Sequence, residues 1–381
     1  RDSWASRGLG DVYKRQSISY QKLLENSKKI GSGLGKFVKN NDPVPVYMEK
    51  GISALEVFMG ALYSGGFYSL LNVGLPKMRL EQIINVLDVD YIVTDIEHLE
   101  DAKVFFPDKE LILYEDLIKE EINDDLLNEI RKKKIDLDPV YANFTSGSTG
   151  VPKGVIVGNR SIIDFVDNFV DTFGIKDDDV IANQAPFDFD VSVKDIYPAL
   201  KTGATLVIVP KELFSKPALL IDFLVDHKVT TMTWAVSALC LISTFHGLDY
   251  KVPTSVKRVM FSGEVMPMKH LKSWMEHLPN AMFVNLYGPT EITCNCTYHI
   301  IDRNREYEKI PVGIPFNNEA VFLLNDKNEL VTKESEKGEI CVRGTALALG
   351  YYKNNEQTDK AFVRNPLNDK YIAVSYTHLT L

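Results

Sequence analysis

The run Thr145-Ser-Gly-Ser-Thr-Gly-Val-Pro-Lys-Gly154 places four hydroxyls, three glycines and one lysine between apolar segments. Glycine lets the backbone take positive φ and approach a ligand closely, while hydroxyls and successive N–H groups donate to anionic oxygens. Lys153 adds a mobile point charge, so the run reads as a loop that holds phosphate. It is not the Walker phosphate loop, which needs glycine directly before its lysine and Ser or Thr directly after it. Here Pro152 precedes Lys153 and Gly154 follows. A flexible Ser/Gly connector is the competing reading, but such connectors seldom end in Pro-Lys-Gly followed at once by a strand-like Val155-Ile-Val157.

Along the rest of the chain, strand-like runs alternate with amphipathic helical ones, which favours an α/β architecture with largely parallel sheets flanked by helices. Upstream of the loop, a helix is expected over about 20–38, a strand over 44–47 and a helix over 54–63. Downstream, 203–210 reads as a strand, 216–225 as a helix with Pro217 in its first turn, and 229–234 as a strand. Strand-like 256–261 and 282–285 continue the series. In both cases the candidate site residues follow the strand's carboxyl end, where open α/β sheets place their ligands. After Pro311 the pattern changes to short strands with Asn-Asp and Lys-Gly turns. The expected organisation is therefore a core of two α/β subdomains over 17–310 and a smaller β-rich subdomain over 311–371.

Three further segments follow in order: Phe187-Asp-Phe-Asp-Val-Ser192, Asn285-Leu-Tyr-Gly-Pro-Thr-Glu291, and Gly338-Glu-Ile-Cys-Val-Arg-Gly344 with Gly350-Tyr-Tyr352. Together with the loop at 145–154 they resemble the adenylate-forming (AMP-binding) superfamily, which includes acyl-CoA synthetases, luciferases and the amino-acid adenylation domains of peptide synthetases. The resemblance covers about 17–371 and implies the N-terminal domain of such an enzyme. Within the superfamily, Asn183-Gln-Ala-Pro-Phe187, Asp195-Ile-Tyr-Pro198 and Phe261-Ser-Gly-Glu-Val-Met-Pro267 are most similar to the D-alanine:D-alanyl-carrier-protein ligases, which activate D-alanine for teichoic acid modification. Ser262 stands where those ligases typically have cysteine, beside the substrate's small side chain, which leaves the amino acid open.

The resemblance assigns Thr145, Ser146, Gly147, Ser148, Thr149, Gly150 and Lys153 to the β- and γ-phosphates of ATP. It assigns Thr290 to the α-phosphate and Glu291 to Mg²⁺, a hard cation that prefers carboxylate oxygen. Tyr287, in the same turn as Gly288, offers a flat face to adenine, and Asn285 could read its exocyclic amine. Gly263 and Glu264 would form the wall of the adenine pocket, although Glu264 could instead cap the helix that follows.

The chemistry follows from the residue types. A carboxylate is a poor electrophile, so it attacks the α-phosphorus of ATP, expels pyrophosphate and leaves a mixed anhydride that a thiol can open. No protein nucleophile is needed; the step requires two anions to be positioned and their charge neutralised. A free ammonium entering a partly apolar pocket needs a fixed counter-charge. Asp190 is the candidate for it, since its place two residues before Ser192 favours it over Asp188. The plainer reading makes both of them solvated acids at a strand end. The accepting thiol would belong to a phosphopantetheinyl carrier protein. Three alternatives stay open: an adenylation module of a non-ribosomal peptide synthetase with another amino acid, an acyl-CoA synthetase, which has no need of Asp190, and a nucleotide-binding protein without ligase activity.

Composition narrows the classes further. With 381 residues, 45% hydrophobic and 25% charged, the chain has room for a large core or two subdomains. A net charge of −9, with no basic stripe interleaved with aromatics, argues against nucleic acid. Arg131-Lys-Lys-Lys134 is soon followed by Asp136 and Asp138 and reads as a solvated helix end. No apolar run reaches the roughly eighteen residues of a spanning helix, and no secretory signal is visible, so a cytoplasmic protein without membrane insertion is expected. Cysteines at 240, 294, 296 and 341 are too few and irregular for a disulfide framework, and Cys294-Asn-Cys296 lacks the second pair that zinc would need.

Residues 1–16 do not fit the family and read as a non-native leader, and 374–381 as a non-native tail. Related enzymes continue after Tyr371 into a segment whose aspartate holds the ribose hydroxyls, and then into a mobile C-terminal domain. That domain carries the lysine that bridges carboxylate and α-phosphate. With neither present here, the chain is expected to bind better than it catalyses.

Overall fold

In the computed structural model of the chain, the residues described are 8–11, 16–145, 152–333, 336–365, 367 and 372–376. They divide into two compact units.

One unit is built mainly from Phe165–Pro186 and Asp190–Val321. Its nine-stranded sheet runs in the order Ile314–Pro315, Thr297–Ile300, Met282–Tyr287, Arg258–Ser262, Thr231–Ala235, Val180–Asn183, Thr205–Ile208, Gly8–Asp11, Gln16–Ser19. From Met282–Tyr287 to Gly8–Asp11 neighbouring strands pair parallel, and Thr297–Ile300 and Ile314–Pro315 extend the edge antiparallel. Strands buried on both faces read as near-continuous apolar runs, as Thr205–Ile208 does. Trp234 and Trp274 are fully buried in the core. Their indole N–H groups still find acceptors, Ala182 O at 2.8 Å and Leu239 O at 3.0 Å, so neither ring leaves an orphan donor. The helix Pro217–Asp226 starts on the proline that sequence placed in its first turn.

The other unit contains Ser19–Asp164, Phe187–Phe189 and the chain from Phe322 onward. Its seven-stranded sheet has the order Gly350–Tyr351, Lys153–Gly158, Pro139–Thr145, Phe67–Leu70, Pro43–Tyr47, Tyr91–Thr94, Glu110–Leu113. From Pro139–Thr145 onward the strands are parallel, and the first two join antiparallel. The first helix, Tyr20–Leu34, is capped by Ser19 Oγ, which accepts from Lys22 N at 3.2 Å. It ends at Leu34, four residues short of the expected 38, because Gly31 and Gly33 weaken its last turn and Gly35 follows as its C-cap. A further four-stranded sheet has the order Glu319–Leu324, Glu339–Gly344, Ile372–Tyr376, Phe362–Arg364. Thus, of the short strands after Pro311, Ile314–Pro315 and Gly350–Tyr351 each join one of the two large sheets.

Both large sheets are largely parallel, with antiparallel edges and flanking helices, as the alternation of runs implied. One local expectation needs correction. Arg131, Lys132 and Lys133 are exposed at the end of helix Asp124–Lys133, but Lys134 is not solvated. Its side chain is 9% exposed and bonds Asn41 Oδ1 at 2.8 Å, with Asp138 at 3.4 Å. The two aspartates that suggested solvation are not equivalent: Asp138 is buried and holds Lys134, while Asp136 pairs with Arg160 at the surface. Among the described residues no helix is long and apolar enough to cross a membrane.

Candidate functional site

The candidate residues fall into two groups, one in each unit.

Thr145 and Lys153 face each other as register partners on adjacent antiparallel strands. Ser146, Gly147, Ser148, Thr149 and Gly150 lie outside the described residues. Thr145 O accepts from Arg79 Nη2 at 3.0 Å, a partner that sequence did not suggest. Lys153 has neighbours across the sheet. Its ammonium donates to Gln357 Oε1 at 3.1 Å and lies 5.3 Å from the centre of the Tyr351 ring. Register explains this: Tyr351 pairs with Val155, and Tyr352 N donates to Gly154 O at 2.7 Å, so the Gly-Tyr-Tyr segment lies along the strand that Lys153 begins. In the same unit, Asp188 accepts from Asn72 Nδ2 at 3.0 Å, and burial pushes its carboxyl above the ordinary range.

The second group gathers at the carboxyl ends of parallel strands, the ligand edge of an open α/β sheet. Asp190 opens the turn Asp190–Ser192, directly before helix Val193–Thr202. Ser262 ends Arg258–Ser262, and Tyr287 ends Met282–Tyr287. Asp190 is partly buried. Burial raises its pKa above the usual carboxylate value; a hydrogen bond from Thr290 and the charge of Lys194 oppose the rise, and Glu291 adds to it. Thr290 and Glu291 open a short 3₁₀ turn, Thr290–Ile292.

The backbone after that turn is strained. Thr293 and Cys294 take φ of 50° and 76°, where a β-branched residue is an outlier. Cys294 Sγ donates to Asp190 O at 2.7 Å, which helps to hold the turn in place. Gly288 is required where it stands, since a Cβ there would lie 2.5 Å from Asn295 Cα. Strain held by surrounding contacts concentrates at functional sites.

Asn285 Nδ2 donates to Pro311 O at 2.8 Å, an orientation that leaves Oδ1 to accept from a ligand amine. Gly263 and Glu264 are exposed. Glu264 does not cap the helix Met268–His277, whose N-cap is Pro267 with no side-chain bond. The glutamate's carboxylate is thus not committed to that helix end.

Lys194 and Asn295 were missed by sequence. Both are buried, and Lys194 Nζ donates to Ser262 Oγ at 3.0 Å and Asn295 Oδ1 at 2.8 Å. The four-residue spacing from Asp190 to Lys194 was the available signal, but burial of a lysine cannot be read from spacing. All four cysteines are free thiols. Burial pushes the Cys296 thiol up to about 12 and Cys294 well above its ordinary value. No cluster able to hold a metal through His, Cys, Asp and Glu occurs among the described residues.

The family model described as AMP-binding enzyme matches residues 5–352. A D-alanine–D-alanyl carrier protein ligase of Staphylococcus haemolyticus (strain JCSC1435) is 30% identical over 357 residues, 92% of this chain and 68% of that protein. Tyrocidine synthase 3 of Brevibacillus parabrevis is 29% identical over 359 residues, 93% of this chain but 5% of that protein. Among solved structures, the nonribosomal peptide synthetase FmoA3 superposes with a TM-score of 0.87 at 23% identity, covering 97% of this chain and 39% of that one, a likeness of fold. The chain thus spans about two thirds of the carrier protein ligase and a small part of the synthetase.

Proposed function

Since the chain belongs to the AMP-binding enzyme family, we propose that it takes part in ATP-dependent activation of an amino acid as aminoacyl-AMP, with pyrophosphate released. The activated acyl group would then pass to the thiol of a phosphopantetheinyl carrier protein in the full-length enzyme. What supports an amino acid over a fatty acid is Asp190, a carboxylate drawn out of water at the ligand edge and hydrogen-bonded by Thr290. A substrate ammonium is the natural counter-charge for such a group.

The roles of the other residues follow. The loop at 145–154, with Lys153, would take the β- and γ-phosphates, and Thr290 would touch the α-phosphate. Asn285 Oδ1 would accept from the adenine amine beside the Tyr287 ring, with Gly263 and Glu264 as pocket wall. Glu291, a partly exposed carboxylate at the start of its turn, is a hard oxygen donor that suits Mg²⁺. When bound, that ion would neutralise phosphate charge during displacement at the α-phosphorus.

D-alanine is the first substrate to test, given the carrier protein ligase among the relatives. A peptide-synthetase module is the second reading, favoured by the match to tyrocidine synthase 3 over 93% of the chain. The deciding experiment is calorimetric binding of D-alanyl- and L-aminoacyl-sulfamoyl adenosines, with Asp190→Ala as control. Tight binding of one aminoacyl compound that disappears in the variant supports amino-acid activation. Binding of a fatty-acyl compound in preference to every aminoacyl one would assign the chain to acyl-CoA chemistry instead.

A further inference from the structure

Lys194 has no role in the scheme above, yet its side chain is among the largest fully buried ones, at 1% exposure. Lysine is almost never buried without a partner, because removing an ammonium from water is costly. Its Nζ has two hydrogen bonds, to the neutral oxygens of Ser262 at 3.0 Å and Asn295 at 2.8 Å. An ammonium carries three N–H groups, so one is without an acceptor among the described residues. No ion pair reaches it among those residues either. The charges of Asp190 and Asp195 act on it only through space, and one oxygen of Asp195 accepts from Asn183 Nδ2 at 2.9 Å. Burial accordingly holds the ammonium below the ordinary lysine range.

The position of this charge gives it a meaning. Lys194 lies four residues after Asp190 along one helical stretch, so the two side chains share a face. Ser262 closes one parallel strand, and Asn295 follows the turn after another. A carboxylate and an ammonium therefore stand about one helical turn apart at the ligand edge of the sheet. A methyl side chain would offer the ammonium nothing. A second carboxylate on the substrate would supply both the missing acceptor and the missing counter-charge, in surroundings where charge-assisted bonds are strongest.

We propose that Lys194, with Ser262 and Asn295, forms the side-chain subsite for an acidic amino acid, so that the chain selects a substrate with a second carboxylate over alanine. This rests on the reading that Asp190 holds the substrate's α-ammonium. Lys194 is then a specificity residue and not only a brace between Ser262 and Asn295.

The test is calorimetric titration of the chain with alanyl-, aspartyl- and glutamyl-sulfamoyl adenosines, each as D and L forms. In these probes the α-carboxyl is the acyl group joined to the sulfamate nitrogen, so in the aspartyl and glutamyl compounds the side chain supplies the only free carboxylate. An acidic compound is expected to bind at least tenfold tighter than either alanyl compound. Lys194→Met is expected to reverse that order, and Lys194→Arg to keep it. Preference of the unaltered chain for an alanyl compound overturns the subsite whether or not the variants fold. So does an unchanged ranking in a Lys194→Met protein with a cooperative melt. Failure of every aminoacyl probe while ATP still binds would overturn the amino-acid reading itself, and the subsite with it.

Discussion

Asp190 shows how one carboxylate can carry a functional distinction. In water it would be an ordinary acid; here burial makes its charge costly, and the Thr290 hydrogen bond offsets part of that cost and gives the charge a direction. Removing one member of a buried charge pair costs about 2–5 kcal/mol. Asp190→Ala should therefore weaken binding of an aminoacyl-sulfamoyl adenosine by at least about thirtyfold, since 1.4 kcal/mol is tenfold, while ATP still binds. Equal loss of both ligands in a titration would sink the assignment. A second residue-scale prediction concerns His98, whose Nδ1 lies 2.6 Å from Asp95 Oδ1 with both side chains largely buried. The Asp95 hydrogen bond raises the imidazole pKa above its unfolded value of about 6.5. A raised folded pKa means that the charged form stabilises the fold at pH below the unfolded value, and that this contribution is lost as pH rises through the folded value. The stability advantage of the unaltered chain over His98→Asn should shrink in urea melts as pH rises above about 6.5; an advantage that grows with pH would refute it.

At the scale of elements, helix Tyr20–Leu34 packs on helix Ile52–Tyr63 through close backbone approach. A Cβ on Gly60 would meet Ile30 Cγ2 at 2.3 Å, and one on Gly31 would meet Tyr63 Cβ at 2.4 Å. In an exposed helix, Gly→Ala would stabilise by about 1 kcal/mol. Here the methyl has no space, and overpacking costs about 1–3 kcal/mol. Gly60→Ala should thus lower the unfolding midpoint, whereas helix propensity alone predicts a rise. The sign of the change in a thermal melt decides between the two.

For the whole molecule, a ligand that binds only the folded state stabilises it by mass action, about 2.7 kcal/mol at a hundred times its Kd. ATP with Mg²⁺ should raise the melting temperature progressively with concentration. Glu291→Gln should remove the part of that rise that Mg²⁺ adds to ATP alone. A rise that is identical with and without Mg²⁺ in both proteins would take Glu291 out of the metal role.

The α/β class and the places where ligand loops follow strands were legible in the amino-acid order, because apolar periodicity and turn residues are local properties. Pro217 at a helix start and the strand after Lys153 are examples. Asp190, Thr290 and Glu291 were nominated there as candidates, through their residue types and the resemblance of the motifs that hold them. Packing supplied the rest. The register of Tyr351 against Val155 holds Lys153 against Gln357, a residue some two hundred positions away in sequence. Burial separates Lys134 from Arg131, Lys132 and Lys133, which no count of charges can do. Lys194 reads as one more helix lysine until the fold removes its ammonium from water and sets it against Ser262 and Asn295. Desolvation depends on everything that surrounds a group, and chain neighbours are only a small part of that.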